Sequence, residues 1–351
     1  MTAIERLQKT GIRRIGSPKA GFRYRTPEGA RPPEAQLERV RSLVLPPAWT
    51  DVFVSPSASS PIQAIGRDRA GRWQYVYSEA HAKRREEKKR ERLLAFLESL
   101  PRLRARIARD LSGEGLTRER VLAAMVRLLL RGYVRPGSQK YARENGTYGL
   151  STLRRRHVRV QGSRIVLSYP GKSGKFQTRE IEDPDSAQVL RALLRERGRD
   201  VWFYLTETGE RVKVRRRHLN AYLAEFNGGR FSAKDFRTWA GTLFGACALA
   251  RIGCPTPSSA RALRRAVAQA MKETSALLGN TPAVCRASYV SPVVLEAFAK
   301  GRILEDPPLL AALQRGSSRT MARVEKQLIR MLGNGSRARA AALTHAGRAA
   351  A

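Results

Sequence analysis

Acidic residues are scarce in this chain: 30 Asp and Glu stand against 67 Lys and Arg in 351 residues, a formal net charge of +37. A charge that far from zero repels itself unless something anionic relieves it. The shortage makes nucleic acid the expected partner, because a duplex offers a phosphate charge every ~1.7 Å of its axis and releases counterions when Lys or Arg bind. Cysteine is scarce too. Cys247, Cys254 and Cys285 form no CxxC pair, and with no signal-peptide pattern they point to a reduced cytoplasm. Four histidines (His81, His157, His218 and His345) lack metal-ligand spacing with each other or with the cysteines, so no metal is expected. No apolar run approaches the ~20 residues of a membrane span. Gly171-Lys172-Ser173 looks like the end of a phosphate-binding loop, but Val166 stands where the first glycine must be, which excludes ATP binding there.

What is present is globular. Hydrophobic residues make up 42%, and the length suffices for two domains with cores of their own. Residues 1–80 read as a small, mostly antiparallel β domain, with strands at Phe22–Arg25, Asp51–Val54 and Ile62–Ile65 and a helix over Glu34–Leu43. The clearest hairpin joins Ile62–Ile65 to Arg72–Tyr77 through Gly66–Gly71. Alternation puts Trp73, Tyr75 and Tyr77 on one face, with Arg67, Arg69 and Arg72 at the turn. Aromatics interleaved with arginine suit a nucleic-acid surface, and they equally suit the core of a small sheet.

Residues 81–301 read as a larger, mainly α-helical domain containing a small β-hairpin, so the chain is α+β. A charged helix spans Ser78 to about Leu100, and two further helices follow, the last ending in Val121–Leu130. Arg135 precedes Pro136 and is therefore extended or in a turn. Ile165–Tyr169 and Phe176–Ile181 flank Pro170–Gly174, a hairpin whose tip displays Lys172. The chain is helical from Asp185 on, apart from a strand at Val201–Leu205. Ser232–Asp235 reads as a capping box opening a helix to about Arg251. Arg237 falls in its first turns, where free N–H groups and a cation make a phosphate pocket; the plainer reading is a surface ion pair with Asp235. A helix with Leu263, Val267, Ala270, Met271, Thr274 and Leu278 on one face stops at Gly279. Thr281-Pro282 starts a very short helix that brings Tyr289 to a joint before the next start at Ser291-Pro292. Residues 302–351 are a basic extension with one amphipathic helix near Met321–Leu332, and Gly333–Ala351 is expected to be disordered.

Taken in order, Val134-Arg135-Pro136-Gly137 with Lys140–Asn145, Gly171-Lys172, Lys234–Trp239, Gly279–Pro282 and Arg286–Tyr289 resemble the type IB DNA topoisomerases, in the small poxvirus-like form found in bacteria. Gly71–Tyr77 matches as well, and the resemblance runs from about residue 12 to 301. It implies a tyrosine nucleophile at Tyr289, arginines Arg135 and Arg237 on the non-bridging oxygens of a DNA phosphodiester, and Lys172 as general acid. Asn280 stands where many relatives carry histidine. DNA contacts implied by the family are Gln74, Tyr75 and Tyr77 in the first domain and Lys140 and Tyr141 in the second. The implied activity is relaxation of supercoiled duplex DNA through a 3′-phosphotyrosyl intermediate, without ATP or metal. The resemblance further implies a monomeric, nucleoid-associated enzyme whose two lobes clamp the duplex. A tyrosine recombinase shares the Arg, Lys, Arg and Tyr set, but usually has histidine where Lys234 stands and a helical domain in place of the strands. A non-enzymatic DNA-coating protein needs only the charge.

Overall fold

The computed structural model describes residues 1–255, 259–309, 312–313 and 319–333. The chain divides into two compact units, Met1–Lys89 and Arg90–Ala351. The first opens with α1 (Ala3–Thr10), whose start is closed by a capping box between Thr2 and Glu5. Its sheet contains β1 (Ile12–Ser17), β2 (Gly21–Arg25), β3 (Thr50–Val54), β4 (Ile62–Arg67) and β5 (Trp73–Tyr77), with α2 (Glu34–Ser42) inserted after β2. All pairings are antiparallel, in the order β2-β1-β3-β4-β5. The helix α1 and strand β1 were not evident in the sequence; in β1 the residue that shares the buried face with Ile12 is Arg14, so no apolar alternation marks the strand.

The core of this unit is Ile12, Val40, Val52, Val54 and Ala64, with Val76 packed against it. Strand alternation therefore sends Trp73, Tyr75 and Tyr77 to the other face. The aromatic row is not the core of the sheet. Tyr75 and Tyr77 stack at 6.1 Å, Arg67 lies over the Trp73 ring, and Arg85 covers Tyr77.

The second unit is mainly helical. α3 (Glu79–Leu111) begins in the first unit and continues to the second as one helix. The sequence suggested a stop near Leu100, but Pro101 does not break it. Leu97, Leu100, Leu103, Ile107 and Leu111 form a continuous buried stripe that outweighs one lost N–H. Only one further helix, α4 (Arg118–Gly132), therefore precedes the Arg135 segment. It is buried along most of its length and is central to the core. Then follow α5 (Gln139–Glu144) and a three-stranded antiparallel sheet of β6 (Val158–Gln161), β7 (Arg164–Pro170) and β8 (Phe176–Glu182), with β7 in the middle. α6 (Pro184–Arg195) leads to a two-stranded ribbon, β9 (Phe203–Leu205) and β10 (Arg211–Lys213). The remaining helices are α7 (Arg216–Asn227), α8 (Asp235–Ile252), α9 (Ala260–Leu278), α10 (Pro282–Ser288) and α11 (Pro292–Ala299). A last helix, α12, covers residues 319–333. From residue 334 on, the expected disorder falls outside the described residues.

Candidate active site

The second unit brings Arg135, Lys172, Arg237, Asn280 and Tyr289 into one neighbourhood. Arg135 leaves α4 through Tyr133, whose φ is +52°, and Pro136 keeps it extended. The carbonyls of Arg135 and Pro136 accept from the backbone N–H groups of Leu150 and Ser151, both at 2.8 Å. Gly137 and Gly149 let these segments touch, since a Cβ on Gly149 would lie 2.6 Å from the Gly137 Cα.

α8 is apolar on nearly every side and fully packed, yet it carries Arg237 in its first turn at 2% exposure. The expected capping box is modified. Asp235 accepts from both the N–H and the hydroxyl of Ser232, at 2.8 and 3.0 Å, and also takes a two-pronged ion pair from Arg92. Asp235 is thus committed to Arg92, and Arg237 is not its surface partner. Instead Arg237 Nη1 donates to the Tyr133 carbonyl at 2.6 Å and Nη2 to the Leu278 carbonyl at 3.0 Å. Both carbonyls end helices, where unpaired oxygens and the helix dipole favour a cation. The same turn serves Arg135, whose Nη1 donates to the Gly279 carbonyl at 3.1 Å. One helix end therefore orients both arginines.

That turn requires its glycine. Gly279 has φ +63°, and a Cβ there would lie 2.0 Å from Gln177 Oε1 and 2.8 Å from Arg179 Nη2. Asn280 follows, with its N–H on the Ser275 carbonyl. Its side-chain oxygen and nitrogen are both buried without a hydrogen-bond partner, as is Arg237 Nε. Such groups are costly unless a ligand satisfies them.

Tyr289 sits just past α10, half-buried, its N–H on the Cys285 carbonyl. Its carbonyl accepts from the Thr242 hydroxyl at 3.1 Å, and the same hydroxyl accepts from the Ser291 N–H. A Cβ on Gly241 would stand 2.7 Å from Tyr289 Cβ, so only glycine lets α8 approach this joint. The Arg237 guanidinium lies 4.8 Å over the Tyr289 ring. Burial alone would raise the Tyr289 phenol, but Arg237, Arg135 and Lys172 outweigh it and hold it below the ordinary tyrosine value. Burial and the neighbouring Arg135 charge push Arg237 down to about 10, which leaves it charged at neutral pH. Lys172 is exposed at the turn joining β7 and β8, which is closed by the Gly171 N–H on the Lys175 carbonyl.

Of the other residues singled out in the sequence, Lys140 and Tyr141 lie exposed on α5, Tyr141 at 55%. Gln74 belongs to the first unit, where its amide donates to Asp68 at 2.9 Å. Sequence reasoning passed over Gln177, Arg179, Gly241 and Thr242. Arg179 and Gln177 had a readable signal: they alternate with Ile181 on the inner face of β8, where polar side chains are out of place. Burial lowers Arg179, which adds a third guanidinium beside Arg135 and Arg237. A phenol of depressed pKa among three guanidiniums and an ammonium can attack, and stabilise charge on, a phosphate diester. Among the described residues no cluster of His, Cys, Asp or Glu has the geometry of a metal site, and no helix is long and apolar enough to cross a membrane.

Compared with known proteins, residues 78–300 match the family described as eukaryotic DNA topoisomerase I, catalytic core. Residues 21–68 match the bacterial DNA topoisomerase IB, N-terminal domain. The chain is 35% identical over 267 residues to DNA topoisomerase 1B of Acanthamoeba polyphaga mimivirus, covering 75% of this chain and 80% of that protein. It is 23% identical over 280 residues to DNA topoisomerase 1B of vaccinia virus (strain Copenhagen), covering 76% and 83%. It is 23% identical over 272 residues to DNA topoisomerase 1 of rabbit fibroma virus, covering 74% and 80%.

Proposed function

This chain belongs to the type IB DNA topoisomerases, in the small poxvirus-like form with a bacterial-type N-terminal domain, and from that premise we propose that it relaxes supercoiled duplex DNA through a covalent bond to Tyr289. The Tyr289 phenoxide attacks a backbone phosphorus, forming a 3′-phosphotyrosyl ester and breaking the bond to the 5′-oxygen. Lys172 gives that leaving oxygen a proton, help worth ~10²–10⁴ in rate. Arg135 and Arg237 offer their free N–H groups to the two non-bridging oxygens, a geometry for which guanidinium is suited. Asn280 donates its amide N–H to one of them. The cut strand rotates, and attack by its 5′-hydroxyl on the ester restores the phosphodiester and frees Tyr289. The ester conserves the bond energy, so neither ATP nor a metal is needed. Gln74, Tyr75 and Tyr77, with Lys140 and Tyr141, contact the duplex, and the protein works as a monomer at the nucleoid.

The observation that carries this reading is the Arg237 guanidinium over the Tyr289 ring, because it puts a buried cation against the one phenol whose ionisation the reaction needs. The test is relaxation of supercoiled plasmid without ATP or magnesium. Wild type should relax it, and Tyr289→Phe should not. Equal relaxation by both would remove Tyr289 as nucleophile, and none by wild type would leave a DNA-coating protein.

A further inference from the structure

Beyond residue 300, where the family match ends, several described residues are built into the core of the second unit. Leu304, Leu313, Met321, Val324, Leu328 and Leu332 are all buried. At the end of α12 the Leu332 carbonyl accepts from the buried Arg90 at 2.7 Å. Midway along α12 stands a carboxylate, Glu325, at 4% exposure. An acid so deep must be paired and hydrogen-bonded, and this one is. It receives both terminal nitrogens of Arg104, at 2.7 and 2.8 Å, and the indole N–H of Trp239 at 3.1 Å.

Trp239 lies two residues after Arg237 on α8. Its ring packs on Tyr133 at 6.0 Å, and Tyr133 also meets Phe244 edge-on at 4.8 Å. Tyr133 is a non-glycine residue at φ +52°, a conformation that persists only when the surroundings enforce it. Its carbonyl is the one that receives Arg237 Nη1. The contacts form a closed path: Glu325 to Trp239, Trp239 to Tyr133, Tyr133 to Arg237, and back through α8.

We infer that Glu325 is a positioning residue, which through Trp239 and Tyr133 sets the place of Arg237 over Tyr289. The inference rests on the assignment of Arg237 and Tyr289 in the preceding subsection. Glu325 touches no reacting atom. Its carboxylate instead fixes the indole that locks the strained Tyr133, and so fixes the carbonyl that aims the guanidinium. Arg104 neutralises it so that this anchor can be buried.

The test uses the full chain and a duplex whose cleavage site has been mapped on plasmid DNA. DNA affinity, single-turnover cleavage and its pH profile from about 6 to 10 are measured, across the rise of a phenol of ordinary pKa ~10. Glu325→Ala and Trp239→Phe should cleave roughly 10- to 100-fold more slowly at unchanged DNA affinity, the loss that a shift of order 1 Å near a reacting centre brings. Their alkaline inflection should rise toward the ordinary tyrosine value, because Arg237 no longer sits over the ring. Glu325→Gln keeps an oxygen for the Trp239 N–H and should keep the wild-type inflection. If Glu325→Ala does not fold, Trp239→Phe carries the test, since it leaves the Arg104–Glu325 pair intact. An unmoved inflection in the variants that fold, or a Glu325→Gln profile shifted with the others, overturns the inference. An Arg237→Ala variant that cleaves at the wild-type rate instead overturns the active-site reading on which it stands.

Discussion

Asn280 holds both ends of its amide in the interior with no partner for either, beside an arginine whose Nε is likewise unpartnered. Among the described residues of the second unit, Asn280 has both side-chain polar atoms buried without a partner, and a phosphate oxygen would accept from its amide N–H. An amide is neutral at every pH of interest, whereas a histidine at the same place would become a cation below about pH 6.5. Wild-type cleavage should therefore show no inflection in that range. Asn280→His should cleave faster at mildly acid pH and acquire an inflection near the histidine value, measured as single-turnover rate against pH. An unchanged rate and profile would mean that residue 280 does not reach the phosphate. At this scale the sequence was informative where a residue type carries chemistry. Arg135, Lys172, Arg237 and Tyr289 could be picked out by order and motif. The partners that aim the two arginines could not, because the carbonyls of Tyr133, Leu278 and Gly279 belong to backbone, which leaves no mark in residue identity.

Among the elements, α8 does the most and says the least in sequence. Its residues are buried on all sides, so its periodicity reports burial and nothing about which face meets the site. The β7–β8 hairpin is the opposite case: its turn residues and alternation were legible, and the register runs from Arg164↔Glu182 to Pro170↔Phe176 as a regular ladder. Gly241 in α8 reads as a helix weakened by about 1 kcal/mol against alanine. The reason for it is spatial. An added Cβ would lie 2.7 Å from Tyr289 Cβ and 2.8 Å from its carbonyl oxygen, and the obstacle is largely backbone. Gly241→Ala should therefore lose more by overpacking than it gains in helix propensity, a net destabilisation of about 1–3 kcal/mol seen in thermal melting. By pushing the Tyr289 joint off the Thr242 hydroxyl it should slow cleavage by roughly 10- to 100-fold with DNA affinity unchanged. A variant that melts higher and cleaves normally would show that the joint tolerates the shift.

Across the whole molecule the excess of 37 positive charges was the plainest signal in the sequence, while the use made of the extension was hidden. An amphipathic helix near Met321–Leu332 was legible. Its anchor was not, since Arg104 and Trp239 lie 221 and 86 residues from Glu325. The charges divide into two populations that salt should tell apart. Exposed groups such as Lys140 and Lys172 are screened by ions, and a surface that neutralises six to ten phosphates loses about 10³–10⁵ in affinity between roughly 50 and 200 mM salt. Arg237 is almost wholly buried and is screened far less. Duplex affinity should therefore fall steeply with salt, and plasmid relaxation should pass from many turns per binding event to few. The single-turnover cleavage rate at saturating protein should stay nearly flat over the same range, because the field that lowers the Tyr289 phenol comes chiefly from the buried guanidinium above it. A cleavage rate at saturation that falls as steeply as the affinity would place the decisive charges at the surface and would overturn the role proposed for Arg237 as principal activator of Tyr289.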